Sequence, residues 1–283
     1  MWFIYSLIGA LITGVGQALV KKGQIKFTPL LDNLIATISV NVILAPLLFI
    51  WGVNLTVSKD ILFYALIAGT MYATFYYIIS FGNVSLMVSL INTFPVITIA
   101  LAIVFLHEWP NIYQWFGILF IILGILFISR EKAENEIKTK KKNWLLWGLF
   151  GALAIGIAEF VTKLATLKTD GFTFTFFVYL MYIPPLVFFM IFDKKGRKFE
   201  SLKNKASVIY TLLGIFFVEA GLIAIALAYQ HGFASLVSPI VATHMLVTVV
   251  VAVIFLKEKL LIIQKIGIVL NLIGISMIGA LSK

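Results

Sequence analysis

Apolar residues run through this chain in blocks of about twenty, separated by short polar stretches. At a helical rise of 1.5 Å per residue, a block of that length spans the roughly 30 Å hydrocarbon core of a bilayer. Ten such blocks can be traced, at residues 2–20, 30–51, 60–79, 84–105, 112–129, 144–167, 172–192, 206–228, 233–256 and 262–281. None alternates strictly as a barrel strand does, and lipid accepts only helices or closed barrels. The pattern therefore predicts an all-α integral membrane protein with ten transmembrane helices. The first block starts at Trp2 with no basic stretch ahead of it and no small-residue cleavage pattern, so it reads as a retained helix.

Composition agrees: 61% of the 283 residues are hydrophobic and 12% charged, which excludes an ordinary soluble domain. The chain has no cysteine, which removes disulfides and thiolate metal sites. A net charge of +10 would suit a nucleic-acid binder, but the basic residues crowd into loops. Lys21, Lys22 and Lys26 follow span 1; Arg130, Lys132, Lys138, Lys140, Lys141 and Lys142 follow span 5. Lys194, Lys195, Arg197, Lys198, Lys203 and Lys205 follow span 7, and Lys257 and Lys259 follow span 9. With ten spans all of these loops share one face, while the other face offers little beyond Lys59 and Lys168. The positive-inside rule places the basic face in the cytoplasm and both termini outside, in a multi-pass protein of the cell membrane with lipid and no nucleic acid as its partner. Trp2, Trp51, Trp109, Trp115, Trp144 and Trp147 lie near span ends, as an aromatic belt requires.

The halves of the chain resemble each other. Gly82, Ser85, Leu86, Thr93, Thr98, Phe105, Leu106, Glu108, Gln114, Gly117 and Gly124 recur 150 positions later as Gly232, Ser235, Leu236, Thr243, Thr248, Phe255, Leu256, Glu258, Gln264, Gly267 and Gly274. Nearer the start of each half the offset is 142: Gly9, Ala10, Leu11, Gly14 and Lys21 match Gly151, Ala152, Leu153, Gly156 and Lys163, and Gln17 matches Glu159. The division is a first repeat over 1–129, a charged cytoplasmic linker over 130–143 and a second repeat over 144–283. Five spans per repeat is an odd number, so the second copy inserts upside down. Inverted repeats are a mark of secondary transporters, whose sites lie near the midplane between the halves.

The motif Phe105-Leu106-His107-Glu108 with Pro95, Gln114, Gly117 and Gly124, echoed by Phe255-Leu256-Lys257-Glu258 with Gln264, Gly267 and Gly274, resembles the drug/metabolite transporter superfamily, in its ten-helix branch with two EamA-type repeats. The resemblance covers nearly the whole chain and implies a carrier, with export as its direction. The second copy departs from the pattern at Met245, where the first has Pro95, and carries Pro239 six residues earlier.

Ionisable groups at membrane depth cost roughly 2.5–3.5 kcal/mol and persist where they meet a cavity, a partner or a substrate. Glu159 and Lys163 stand one turn apart on one face of span 6. They fit a site that exchanges a proton for substrate or clamps a zwitterion; the plainer reading is a self-neutralising pair with Lys163 snorkelling to the interface. Gln17 and Lys21 are their counterparts. Glu219 and His244 lie mid-span in spans 8 and 9, where they could hydrogen-bond as a proton relay or as an interhelix tie. Asn92 and Thr93, Ser238 and Thr243, and Tyr72, Tyr76 and Tyr77 could bind substrate or glue helices. Glu108 and Glu258 each precede a new helix and read as caps on free N–H groups, with Pro110 at a first helical position. Pro46, Pro95, Pro184, Pro185 and Pro239 fall inside spans and predict kinks that free carbonyls. Gly117, Gly124, Gly267, Gly274 and Gly279 predict close helix packing, within or between subunits.

No nucleotide-binding loop, zinc-protease motif or dinucleotide fingerprint is present, which argues against an enzyme and against any cofactor. The expected function is a secondary transporter of small polar metabolites, amino acids or related compounds, working by alternating access with protons as candidate coupling ions, as a monomer or homodimer. The proposed substrate-binding residues are Glu159, Lys163, Glu219, His244, Gln17, Asn92, Tyr72, Ser238 and Thr243. The alternatives are an exporter of lipophilic cations, which would want carboxylates and aromatics without a competing Lys, and a membrane-embedded enzyme or scaffold.

Overall fold

A computed structural model describes residues 1–23, 27–78, 87, 90–129, 144–194, 196–197, 204–256 and 260–280. Lys26, Gly82, Ser85, Leu86, Lys195, Lys198, Lys203, Lys257, Glu258, Lys259 and the linker 130–143 lie outside the described residues. Among those described, the fold is helical without strands. The helices are α1 (Trp2–Gly23), α2 (Pro29–Ile50), α3 (Lys59–Ile78), α4 (Phe94–Leu106), α5 (Ile112–Ile128), α6 (Trp144–Thr166), α7 (Gly171–Phe192), α8 (Lys205–His231), α9 (Ala234–Phe255) and α10 (Ile262–Ala280). Seven stretches in the described residues are long and apolar enough to cross a membrane: α1, α2, α6, α7, α8, α9 and α10. α4 and α5 are shorter apolar helices.

Helix starts follow from local chemistry. Thr28 accepts from the Leu31 N–H ahead of Pro29, Asp170 accepts from Thr173, and Asn204 accepts from Ser207. Asn111 and Gln114 form a reciprocal capping box at α5, which leaves Pro110 outside the helix rather than at its first position.

Three helices are interrupted in mid-course and a fourth starts directly after a turn. α2 passes through a π turn at Ser39–Leu44 just before Pro46. α7 breaks at Met181–Tyr182, ahead of Pro184 and Pro185. α4 follows a turn at Asn92–Thr93, and α9 is interrupted at Thr243. The last two match in detail. The Thr93 hydroxyl donates to the Leu90 carbonyl at 2.7 Å, and the Thr243 hydroxyl to the Ile240 carbonyl at 2.6 Å. The second copy thus breaks at the repeat-equivalent position although Met245 replaces the proline, because the threonine hydroxyl takes the carbonyl that the break exposes.

The halves exchange equivalent contacts. Thr98 donates to the Gly156 carbonyl at 3.2 Å, and its repeat mate Thr248 donates to the Gly14 carbonyl at 3.1 Å. A Cβ on Gly156 would meet Phe94 and Ile97; one on Gly14 would meet their counterparts His244 and Val247. α5 and α10 pack glycine on glycine: a Cβ on Gly124 would lie 2.7 Å from the Gly267 carbonyl, and one on Gly267 equally 2.7 Å from that of Gly124. Backbones approach this closely only where small residues allow it.

Polarity is distributed inside out. Ile50, Phe105, Phe188, Phe192 and Phe255 face outward, while Asn33, Thr98, Glu159, Lys163, Glu219 and Asn271 are buried. A water-soluble protein of this size does not expose apolar surface so continuously, whereas a lipid-facing one must. Trp51, Trp109, Trp115 and Trp147 are exposed as belt residues would be. Trp2 departs from that expectation: it packs inward against Phe3 and over Gly232.

Candidate functional site

The buried polar groups gather where α3, α6, α7 and α8 meet. Glu159, on α6, is 3% exposed. Tyr72 of α3 donates to its Oε1 at 3.3 Å, and Tyr229, in the last turn of α8, donates to its Oε2. Both partners are neutral hydroxyls, each able to turn from donor to acceptor, so the carboxyl keeps a partner whether ionised or protonated.

Lys163 lies one turn further along α6, 5% exposed, and its ammonium turns away from Glu159. It donates to the carbonyls of Tyr229 at 2.9 Å and Gly232 at 2.7 Å, and stands 4.0 Å from Oε1 of Glu108. The carbonyls at the end of α8 have no intrahelical donors, and a cation there also meets the negative end of the helix dipole. The expected self-neutralising pair of Glu159 and Lys163 does not form: the ion pair of Lys163 crosses to the other repeat. Nor does Lys163 snorkel outward, because its donors are used inside.

Glu108 is buried in the turn between α4 and α5, where it accepts from the Ser235 N–H at 3.2 Å. It is a cap, as the sequence suggests, but on α9 rather than on the helix that follows it. Burial pushes its carboxyl above the usual carboxylate range, against the opposing pull of the α9 N–H groups and Lys163.

Glu219, on α8, is 2% exposed. Tyr182 donates to its carboxylate at 2.9 Å and Tyr179 to its backbone carbonyl at 2.6 Å. The break in α7 brings both tyrosines onto one residue, and Asn41 of the α2 π turn donates to the Tyr179 carbonyl at 2.9 Å. The expected hydrogen bond between Glu219 and His244 is not present: His244 is buried at the restart of α9, with its Nδ1 lacking a hydrogen-bond partner. Tyr72, which holds Glu159, packs against the same buried cluster as Tyr179 and Tyr182, which hold Glu219. A small cavity of about 10 Å³ adjoins it, lined by Tyr72, Thr162, Phe174, Thr175, Leu222 and Ile225.

The other expected residues spread along the contact between repeats. Gln17 accepts from Thr248 at 3.4 Å on the α1 side. Asn92 donates to the sulfur of Met245 at 3.6 Å, joining the two helix breaks. Ser238 is buried beside Tyr229, and Thr243 closes the turn in α9. The structure thus unites Tyr72, Glu159 and Glu219, keeps Lys163 and Ser238 next to them, and sets His244, Asn92 and Gln17 apart. Tyr179, Tyr182 and Tyr229 escaped the sequence reading. Their signal is available in principle: a tyrosine away from the span ends buries a hydroxyl that must find a partner.

Comparison with known proteins agrees with this architecture. A solved crystal structure matches over 99% of this chain and 96% of its own, with a TM-score of 0.79 at 14% identity, a likeness of fold alone. The uncharacterized protein MJ1333.1 of Methanocaldococcus jannaschii is 33% identical over 131 residues, which is 44% of this chain and 94% of that protein. The sequence profile of the EamA-like transporter family matches twice, over residues 1–130 and 142–280. This chain belongs to the EamA-like transporter family, within the drug/metabolite transporter superfamily.

Proposed function

We propose that the chain is a secondary carrier with ten crossings, in which two inverted five-helix repeats alternate access to a cluster built on Glu159 and Glu219. The basic loops face the cytoplasm, and the cargo is a small polar metabolite bearing an amine, an amino acid or a related compound. The observation that carries this reading is the buried carboxyl of Glu159, held by the neutral hydroxyls of Tyr72 and Tyr229 rather than by a cation, with the buried Glu219 held by Tyr182 close by. With hydroxyls as its partners, the Glu159 carboxyl is stable at depth when it holds a proton or meets a cationic group, and exchange between the two couples cargo to protons. The helix breaks at Thr93, Thr243 and Met181–Tyr182 supply points about which half-helices can rock.

One observation favours lipophilic cations as cargo. Lys163, buried in the last turn of α6, is committed to Glu108 and two carbonyls. It therefore offers no ready partner for a zwitterion's carboxylate. Proteoliposomes under an imposed pH gradient separate the readings when presented with labelled amino acids and, in parallel, tetraphenylphosphonium. Uptake of amino acids supports the metabolite carrier, and uptake of the lipophilic cation alone supports the second reading. If Glu159→Gln and Glu219→Gln both transport at the wild-type rate with unchanged pH dependence, proton exchange at these residues is wrong.

A further inference from the structure

Tyr229 is gripped from both ends by residues one turn apart on α6. Its phenol donates to Glu159, and its backbone carbonyl accepts from Lys163 at 2.9 Å. The same ammonium holds the Gly232 carbonyl at 2.7 Å, and Glu108, 4.0 Å away, caps α9 through the Ser235 N–H. The ends of α6 and α8, the start of α9 and the turn after α4 are therefore fastened at one buried knot. α7 joins it, because the Gly171 N–H donates to the side chain of Gln230, the residue after Tyr229.

We propose that Lys163 is a latch rather than a cargo ligand, and that Tyr229 is the positioning residue through which occupancy of Glu159 opens this face. A cationic group arriving at Glu159 competes with the Tyr229 hydroxyl for the carboxylate. Once displaced, the phenol no longer anchors the last turn of α8. The carbonyls of Tyr229 and Gly232 then leave Lys163, whose remaining partner is Glu108 on the α9 side. When Glu159 is free of cargo, Tyr229 returns and the knot closes. The inference rests on the transport reading above, and it assigns Lys163 a different role from the one its place beside Glu159 suggests.

The absence of cysteine in the chain permits a direct test. Ser238→Cys reports on the latched end, beside Tyr229. Thr211→Cys reports on the opposite end, about 27 Å away along α8 at 1.5 Å per residue. Each is labelled by a membrane-impermeant methanethiosulfonate in proteoliposomes, alone and combined with Tyr229→Phe or Lys163→Met. Thr166→Ala serves as the control, since its hydroxyl bonds the Lys163 carbonyl in the same turn at 3.1 Å without touching the knot.

The expected result is at least a tenfold faster labelling at Ser238→Cys in both knot variants, a slower one at Thr211→Cys, and no change with Thr166→Ala. Tyr229→Phe and Lys163→Met together should exceed neither alone, because they release one grip. Faster labelling at Ser238→Cys with an unchanged rate at Thr211→Cys upholds the latch and sinks alternating access. Faster labelling at both ends means that the residues merely hold the fold together, and overturns the latch. So does unchanged labelling at Ser238→Cys.

Discussion

Lys163 lies one turn from Glu159 on α6, yet its ion pair is with Glu108, 4.0 Å away in the other repeat. Adjacency on a helix face made Glu159 the obvious partner. The winning arrangement satisfies more groups: two orphan carbonyls at the end of α8, the ammonium and a carboxylate that already caps α9. In a medium without water each of those would otherwise stand unpaired.

Removing one partner of this pair should therefore be costly. Lys163→Met leaves Glu108 without its counter-charge and two carbonyls without a donor, and should lower stability by about 3 kcal/mol. Glu108→Gln in the same chain should recover part of that loss. A double-mutant cycle by denaturant unfolding in detergent measures the coupling, and a value near zero would remove the pair from the account.

The pH dependence of the same carboxyl has a definite sign. Burial raises the folded-state value of Glu108 above its unfolded one. Its contribution is then fullest below the unfolded value, and is lost as pH rises through the folded value. The difference in melting temperature between the wild type and Glu108→Gln should therefore move in favour of the wild type as pH falls from neutral toward about 4. A difference that moves the opposite way would mean that the ion pair with Lys163 outweighs desolvation.

The exchanged hydroxyl bonds of Thr98 and Thr248 predict matched effects. Thr98→Val removes the bond to Gly156, and Thr248→Val its equivalent to Gly14 along with the longer contact to Gln17, each loss worth about 0.6 kcal/mol in a membrane protein because one hydroxyl proton makes one bond at a time. Calorimetry on the purified variants should find the two losses alike. A loss confined to one site would mean that the equivalent contacts do not carry equivalent energy.

Glycine at the α5–α10 contact should tolerate no side chain. A Cβ at Gly124 or Gly267 would stand 2.7 Å from the facing carbonyl, closer than any real contact, so Gly124→Val or Gly267→Val must push the helices apart. Fluorescence-detected size exclusion should then report loss of the monodisperse peak. Gly52→Ala, whose added Cβ meets nothing within 4 Å, should keep that peak despite some backbone strain at its φ of 102°.

Much of the architecture was legible in the residues. Apolar blocks of bilayer length specify helices because lipid leaves the backbone no other donors and acceptors. The recurrence of Thr98 and Gly156 as Thr248 and Gly14 was visible before their contacts were. Glu159 and Glu219 stood out because a carboxylate amid apolar neighbours has a cost that demands a reason. Partnership was not legible. Sequence spacing ranks neighbours along one helix, whereas Lys163 chose across 55 residues to Glu108, and Glu159 and Glu219 found tyrosines on α3, α7 and α8. Those choices depend on where α6 ends relative to α8 and on how the break at Met181–Tyr182 turns two phenols onto one residue. Local periodicity determines which groups are buried, but only the packed helices decide which donor reaches which acceptor, because hydrogen bonds are short and directional.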